Sequence, residues 1–120
     1  MSWKTAVVNL EFTQGQTYDK EWAFTQSGSA VDMTGWTGAA QIRDKAGTVL
    51  ADLTSANGGV VITEAQGRVK IVLSDTATDA VAETTDDLHL WDLELDTGST
   101  IEKPFRGAVI VHKGITVPVA

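Results

Sequence analysis

Apolar and polar residues alternate with a period of two along most of the chain, in short runs rich in Val, Ile, Thr and aromatics that are separated by glycine-bearing turns. Successive side chains of a strand point to opposite faces, so this pattern predicts half-buried β-strands. The first covers 5–12, with Val8, Leu10 and Phe12 on one face and Val7, Asn9 and Glu11 on the other. Gln14-Gly15 turns the chain into a second strand, 16–25, which places Tyr18, Trp22 and Phe24 on one side and Asp19, Glu21 and Thr25 on the other. Lys20 falls on the apolar side, where its ammonium is expected to reach the sheet margin along its aliphatic stem. Gln26-Ser27-Gly28-Ser29 predicts a hairpin turn, and Thr34-Gly35 a reversal into a third strand, 36–43. The small residues Gly38, Ala39 and Ala40 would let a neighbour approach closely there. Glycine turns then lead to strands over 48–53, 60–63 and 68–73, the last with Val69, Ile71 and Leu73 inward.

Residues 74–83 lack the alternation. Their alanines behind a Ser-Asp pair predict one or two helical turns capped by Ser74 or Asp75, serving as a crossover between sheets. A seventh strand spans 88–96, with Trp91, Leu93 and Leu95 inside and Asp92 and Glu94 outside. The last covers 100–112, with Phe105, Val109 and Val111 inward. Gly107 reads as a bulge or bend, and Pro104 as an edge position or irregular step. Residues 113–120 read as a tail whose Val-Pro-Val could pair along an edge or reach a partner. About eight strands at this spacing, with one short helical crossover, predict an all-β, two-sheet sandwich spanning 1–120, with a small closed barrel as the alternative.

With 120 residues, 42% of them hydrophobic, the chain is long enough for one core. It has no cysteine, which excludes disulfides, thiolate metal sites and cysteine nucleophiles. A net charge of -7 opposes both phosphate backbones and anionic membranes, so neither nucleic acid nor membrane is an expected partner. No apolar run approaches the roughly 18 residues of a membrane span, and 1–5 lack the apolar stretch of a signal peptide, so synthesis in the cytoplasm is expected.

The chemistry-bearing residues form no local motif. His89 and His112 lie outside any zinc-binding spacing, no serine sits in a Gly-x-Ser-x-Gly elbow, and Gly58-Gly59 lacks the ending of a phosphate loop. His89 reads as a sheet-margin histidine. Asp92 and Glu94 share one strand face, as a paired acid and base would, but that face is the polar one and is expected to be solvated. Asp75, Asp79, Asp86 and Asp87 bracket the helical turns without the spacing of a helix–loop–helix calcium site. Trp22, Trp36 and Trp91 all take inward positions. No catalytic residue, cofactor or metal is therefore assigned.

Several segments, taken in order, resemble the immunoglobulin-like domain that begins phage baseplate upper proteins and recurs in short structural proteins of tailed phages. They are Gly15-Gln16-Thr17-Tyr18, Val31-Asp32-Met33-Thr34-Gly35-Trp36 leading to Gln41-Ile42-Arg43, and Gly47-Thr48-Val49-Leu50-Ala51-Asp52-Leu53-Thr54 with its Asn57-Gly58-Gly59-Val60 exit. Gly67-Arg68-Val69, the run from Trp91 to Leu95, and Gly107-Ala108-Val109-Ile110-Val111 complete the set. The resemblance covers nearly the whole chain and rests on turn and core residues. It implies an immunoglobulin-like sandwich and a setting in a virion, without implying a catalytic site. The chain ends soon after its last strand, without the parts that follow in baseplate upper proteins, so a tail, neck or capsid-surface role is open beside a baseplate one. The expected function is non-enzymatic docking to other virion proteins within a symmetric assembly, through sheet edges and terminal segments. Trp3 and Val7 at the front, and Ile115, Val117 and Val119 in the tail, are the docking candidates. A carbohydrate- or receptor-binding module is the alternative, with a glycan on the aromatic and acidic residues of one sheet face.

Overall fold

The computed structural model describes residues 4–85 and 87–115; of the docking candidates, Trp3, Val117 and Val119 lie outside them. The elements in chain order are β1 (Ala6–Val7), β2 (Leu10–Thr13), β3 (Tyr18–Ala23), β4 (Thr25–Gln26), β5 (Ser29–Ala30), β6 (Thr37–Arg43), β7 (Val49–Thr54) and β8 (Val60–Thr63). A 3-10 turn (Glu64–Gln66), β9 (Arg68–Leu73), α1 (Asp75–Ala80), β10 (His89–Asp96) and β11 (Ile101–His112) follow. The fold is all-β with one short helix. One sheet runs β1-β11-β10-β6-β7, with β2 also paired to β11, and a second runs β3-β9-β8, while β4 and β5 form a separate hairpin.

Alternation builds both sheets. In β9 and β10 every second side chain, Val69, Ile71 and Leu73 and then Trp91, Leu93 and Leu95, is buried, as the sequence pattern predicts. These residues, with Leu10, Phe12, Ile42, Leu53, Val60, Val109 and Val111, form a single core fed by both sheets. The helix begins where Ser74 accepts a hydrogen bond from the Ala77 N–H, one of the predicted caps, and it carries the chain from β9 in one sheet towards β10 in the other. Among the described residues no buried side-chain nitrogen or oxygen lacks a hydrogen-bond partner.

Three local features differ from the alternation. The expected continuous strand over 5–12 breaks into β1 and β2. Both run parallel to β11 with one register, Val7 opposite Arg106 and Leu10 opposite Val109. In the gap the Val8 carbonyl accepts the Trp91 indole N–H at 2.7 Å, and Asn9 Oδ1 takes the place of a backbone acceptor for the Ala108 N–H at 3.0 Å. A tertiary hydrogen bond thus displaces the ladder. The second strand stops at Ala23: the Phe24 N–H still bonds to the Gly67 carbonyl, but the Gly67 N–H goes to Glu64 and the Phe24 carbonyl accepts from Val31, which turns the chain into the β4–β5 hairpin. The hairpin tip has two consecutive left-handed residues, Ser27 and Gly28 (φ 53° and 81°), as a two-residue turn requires.

Pro104 lies at an irregular step: Leu93 faces Phe105 but Leu95 faces Glu102, so β11 carries an extra residue there. Gly107 is neither bulged nor bent. It faces Trp91 in regular register, and its missing side chain makes room for the Val8 carbonyl.

The inward aromatics are less enclosed than the alternation implies. Trp91 is buried, whereas Tyr18, Trp22, Phe24, Trp36 and Phe105 are half-buried. Tyr18 and Trp22 belong to β3, an edge strand of the narrower sheet, so no further strand of that sheet flanks them among the described residues. Tyr18 packs on Phe12 with ring centroids 5.2 Å apart. Burial pushes its phenol above the usual 10.0, against the lowering effect of a hydrogen bond from the Glu11 backbone. A raised folded-state pKa means that the stability is complete below pH 10 and declines as pH rises from there through the folded value. Urea titrations between about pH 9 and 11.5 should show this decline in the native chain and lose part of it in Tyr18→Phe.

Candidate docking surface

The outer face of the wider sheet is built by register. Leu90 stands between Arg43 on β6 and Ala108 on β11. In the next row Asp92 stands between Gln41 and Arg106, with Val7 of β1 beyond. Together with the β6–β7 turn these residues, Ala108 apart, line an open groove of about 820 Å³. Outward positions of an exposed sheet are usually polar, yet Val7 and Leu90 are 68% and 57% exposed. Both line this groove.

The charges around these two side chains are unevenly paired. The Lys103 ammonium sits between Asp92 (3.6 Å) and Glu94 (3.4 Å), and Lys45 meets Asp87 at 3.3 Å. All these groups are at least 40% exposed, so the pairs add little to stability. The Arg43 guanidinium is held by neutral acceptors, with Nε and Nη2 on Gln41 Oε1 (3.1 and 2.6 Å) and Nη1 on the Gly47 carbonyl (3.2 Å). Arg106 makes no side-chain hydrogen bond or ion pair among the described residues. Arg43 beside Leu90 and Arg106 in the next row therefore lack a carboxylate partner, while Asp92 and Glu94 are engaged by Lys103. Such a face can bind a partner bearing carboxylates and apolar side chains.

The structure places the two described docking candidates apart. Val7 lines the groove opposite Arg106, whereas Ile115, 93% exposed, lies beyond the far end of β11. Nine residues separate Arg106 from Ile115 in sequence, an extended distance of roughly 30 Å. Arg43, Leu90 and Arg106 were not singled out by the sequence reading; the available signal was a leucine at an outward position of an otherwise alternating strand.

The remaining chemistry-bearing residues are accounted for structurally. His89 is buried rather than marginal, because its Nε2 meets the Ala82 carbonyl at 2.7 Å and the chain preceding β10 folds over it. His112 pairs with Glu11 at 2.6 Å on the surface. The hydroxyl and backbone N–H of Thr34 hold the Asp32 carboxyl below its usual range, in a local turn. Asp92 and Glu94 lie on the outer face, bridged by one lysine. Among the described residues no group of three or more His, Asp or Glu is placed to hold a metal ion, and no helix is long and apolar enough to cross a membrane. Trp91, the one tryptophan that lines the groove, is only 4% exposed and offers no open ring for a sugar to stack on. Searches of protein-family models and of curated proteins matched nothing to this chain.

Proposed function

We propose that the chain is a non-enzymatic, immunoglobulin-like docking domain of a tailed-phage virion, a component of tail, baseplate, neck or capsid surface. The observation that carries the docking reading is the outer face of the wider sheet, where exposed Val7 and Leu90 share one groove with guanidinium groups that have no carboxylate partner. Exposed apolar side chains amid charges of both signs are the composition of a protein-binding surface.

The strand order supports the immunoglobulin-like part. Variable-type immunoglobulin domains set strands G, F, C and C′ in one sheet and B, E and D in the other. β11-β10-β6-β7 and β3-β9-β8 follow that order in the same chain sequence. Where antibody domains tie B to F with a disulfide, β3 and β10 here meet through Trp22 and Trp91, stacked at 5.9 Å. The virion setting rests on the ordered resemblance of the turn and core segments to phage domains.

The test is to purify particles released by a bacterium that encodes the chain, then to look for it by mass spectrometry and by antibody labelling under the electron microscope. A fixed number of copies per particle, at one site, is the expected result. Particles that assemble at full yield without the chain, and never contain it, would overturn the proposal.

A further inference from the structure

We infer that the occupant of the groove is a second copy of this chain, presenting the acidic surface around α1, so that copies join head to tail. The inference rests on the docking reading and names the partner of that same surface.

Charge complementarity carries it. Four of the nine basic residues line the groove, Arg43, Lys45, Lys103 and Arg106; carboxylates engage the two lysines, Asp87 on Lys45 and Asp92 with Glu94 on Lys103, and leave an excess of two guanidinium groups without a carboxylate. The opposite excess lies in one continuous segment: 74–88 contains no lysine or arginine, and Asp75, Asp79 and Glu83 are exposed and without an ion pair among the described residues. Leu88, 46% exposed, supplies an apolar side chain at the end of this segment, as Leu90 and Val7 do in the groove. Two net-negative copies repel across most of their surfaces. Approach of the groove of one to the α1 side of the other is the arrangement in which opposite charges meet.

Within one copy the two surfaces meet only at their margin, where Lys45 of the groove pairs with Asp87 at 3.3 Å, and Asp75, Asp79 and Glu83 make no ion pair among the described residues. α1 packs against β2, β7 and β9, spanning the two sheets, whereas the groove opens on the outer face across β6, β10, β11 and β1. A contact between different patches of identical chains is heterologous, and it propagates into a ring where the rotation closes or a filament where it does not. The groove binds the carboxylates through Arg43 and Arg106, whose planar forks suit two-point contacts.

Sedimentation velocity of the intact chain tests this. At about 50 mM salt and up to about 1 mM protein the chain should associate, and at about 0.5 M salt the association should weaken by at least about tenfold. Arg43→Glu with Arg106→Glu, and separately Asp75→Lys with Asp79→Lys and Glu83→Lys, should each be monomeric while keeping the native circular dichroism. Mixed together, the two variants should associate again, because one native pair of surfaces remains and the reversed groove meets the reversed acidic surface with opposite charge. The milder Arg43→Gln with Arg106→Gln should weaken association in part, and it serves if the reversal variant does not fold. A native chain that stays monomeric at low salt would overturn the inference. So would an acidic-surface variant that still associates like the native chain, which is the outcome expected of a face-to-face dimer. A monomeric chain that is nonetheless found in particles would sink the self-docking inference and leave the virion reading standing.

Discussion

Gly107→Ala should destabilise the chain by about 4 kcal/mol, the sum of a severe overpacking cost and a broken buried hydrogen bond. A Cβ at this position would stand 1.9 Å from the Val8 carbonyl oxygen and 2.6 Å from its carbon. Both are backbone atoms, so no rotamer change relieves the clash. Val8 must move, and it cannot do so cheaply: its N–H is bonded to the Arg106 carbonyl, its own carbonyl accepts the Trp91 indole, and Asn9 beside it holds the Ala108 N–H. Displacing the segment leaves the indole N–H of a buried tryptophan without its acceptor and detaches β1 from β11. Gly98→Ala provides the contrast. Gly98 has open space around it and only a left-handed backbone (φ 92°), so alanine should cost about 1 kcal/mol there. Urea midpoints at unchanged m-value measure both. A Gly107→Ala chain within about 1 kcal/mol of native would mean that Val8 does not cross over this glycine as described.

The same crossing marks the limit of what the chain reveals before folding. β8 and β9 were legible to the residue, because a glycine turn precedes each and their side chains alternate without a break. α1 was legible from Ser74 and the loss of alternation, and the all-β class from the alternating runs themselves. Val8 and Gly107 were not. Nothing near either residue in sequence says that the Val8 carbonyl will turn from its own ladder to an indole 83 residues away, so a strand that alternates correctly is nonetheless interrupted. The aromatic face of β3 has the same origin. Period-two reading places Tyr18 and Trp22 inward, but it does not say that their strand lies at the edge of a three-stranded sheet, and this leaves them half-buried. The groove is assembled from β1, β6, β10 and β11, and only the strand pairing brings Arg43, Leu90 and Arg106 together. What the sequence offered was local: Val7 on the outer side of its strand, and Leu90 where a polar residue belonged.

Trp91→Ala should cost about 4 kcal/mol, placing it with Gly107→Ala among the most damaging single changes. The side chain is 4% exposed and joins three parts of the fold. Its ring stacks on Trp22 of the other sheet, with an interplanar angle of 16°; Trp22 in turn contacts Phe105 at 4.7 Å, and Phe105 contacts Phe24 at 5.5 Å. Its N–H holds the Val8 carbonyl. Alanine would remove the ring, open a cavity between the sheets and release the β1–β2 junction, in a domain with no cysteine to tie its sheets together. Trp91→Phe separates the contributions. It keeps an aromatic ring in the stack and loses the N–H, so about 2 kcal/mol is expected, chiefly from the unpaired carbonyl and the smaller ring. Because Gly107→Ala breaks the same hydrogen bond, combining it with Trp91→Phe should cost clearly less than the sum of the two, by about 1 kcal/mol or more. A double-mutant cycle in urea measures that shortfall. Strict additivity would mean that the indole and the glycine act independently, and that Val8 does not link them.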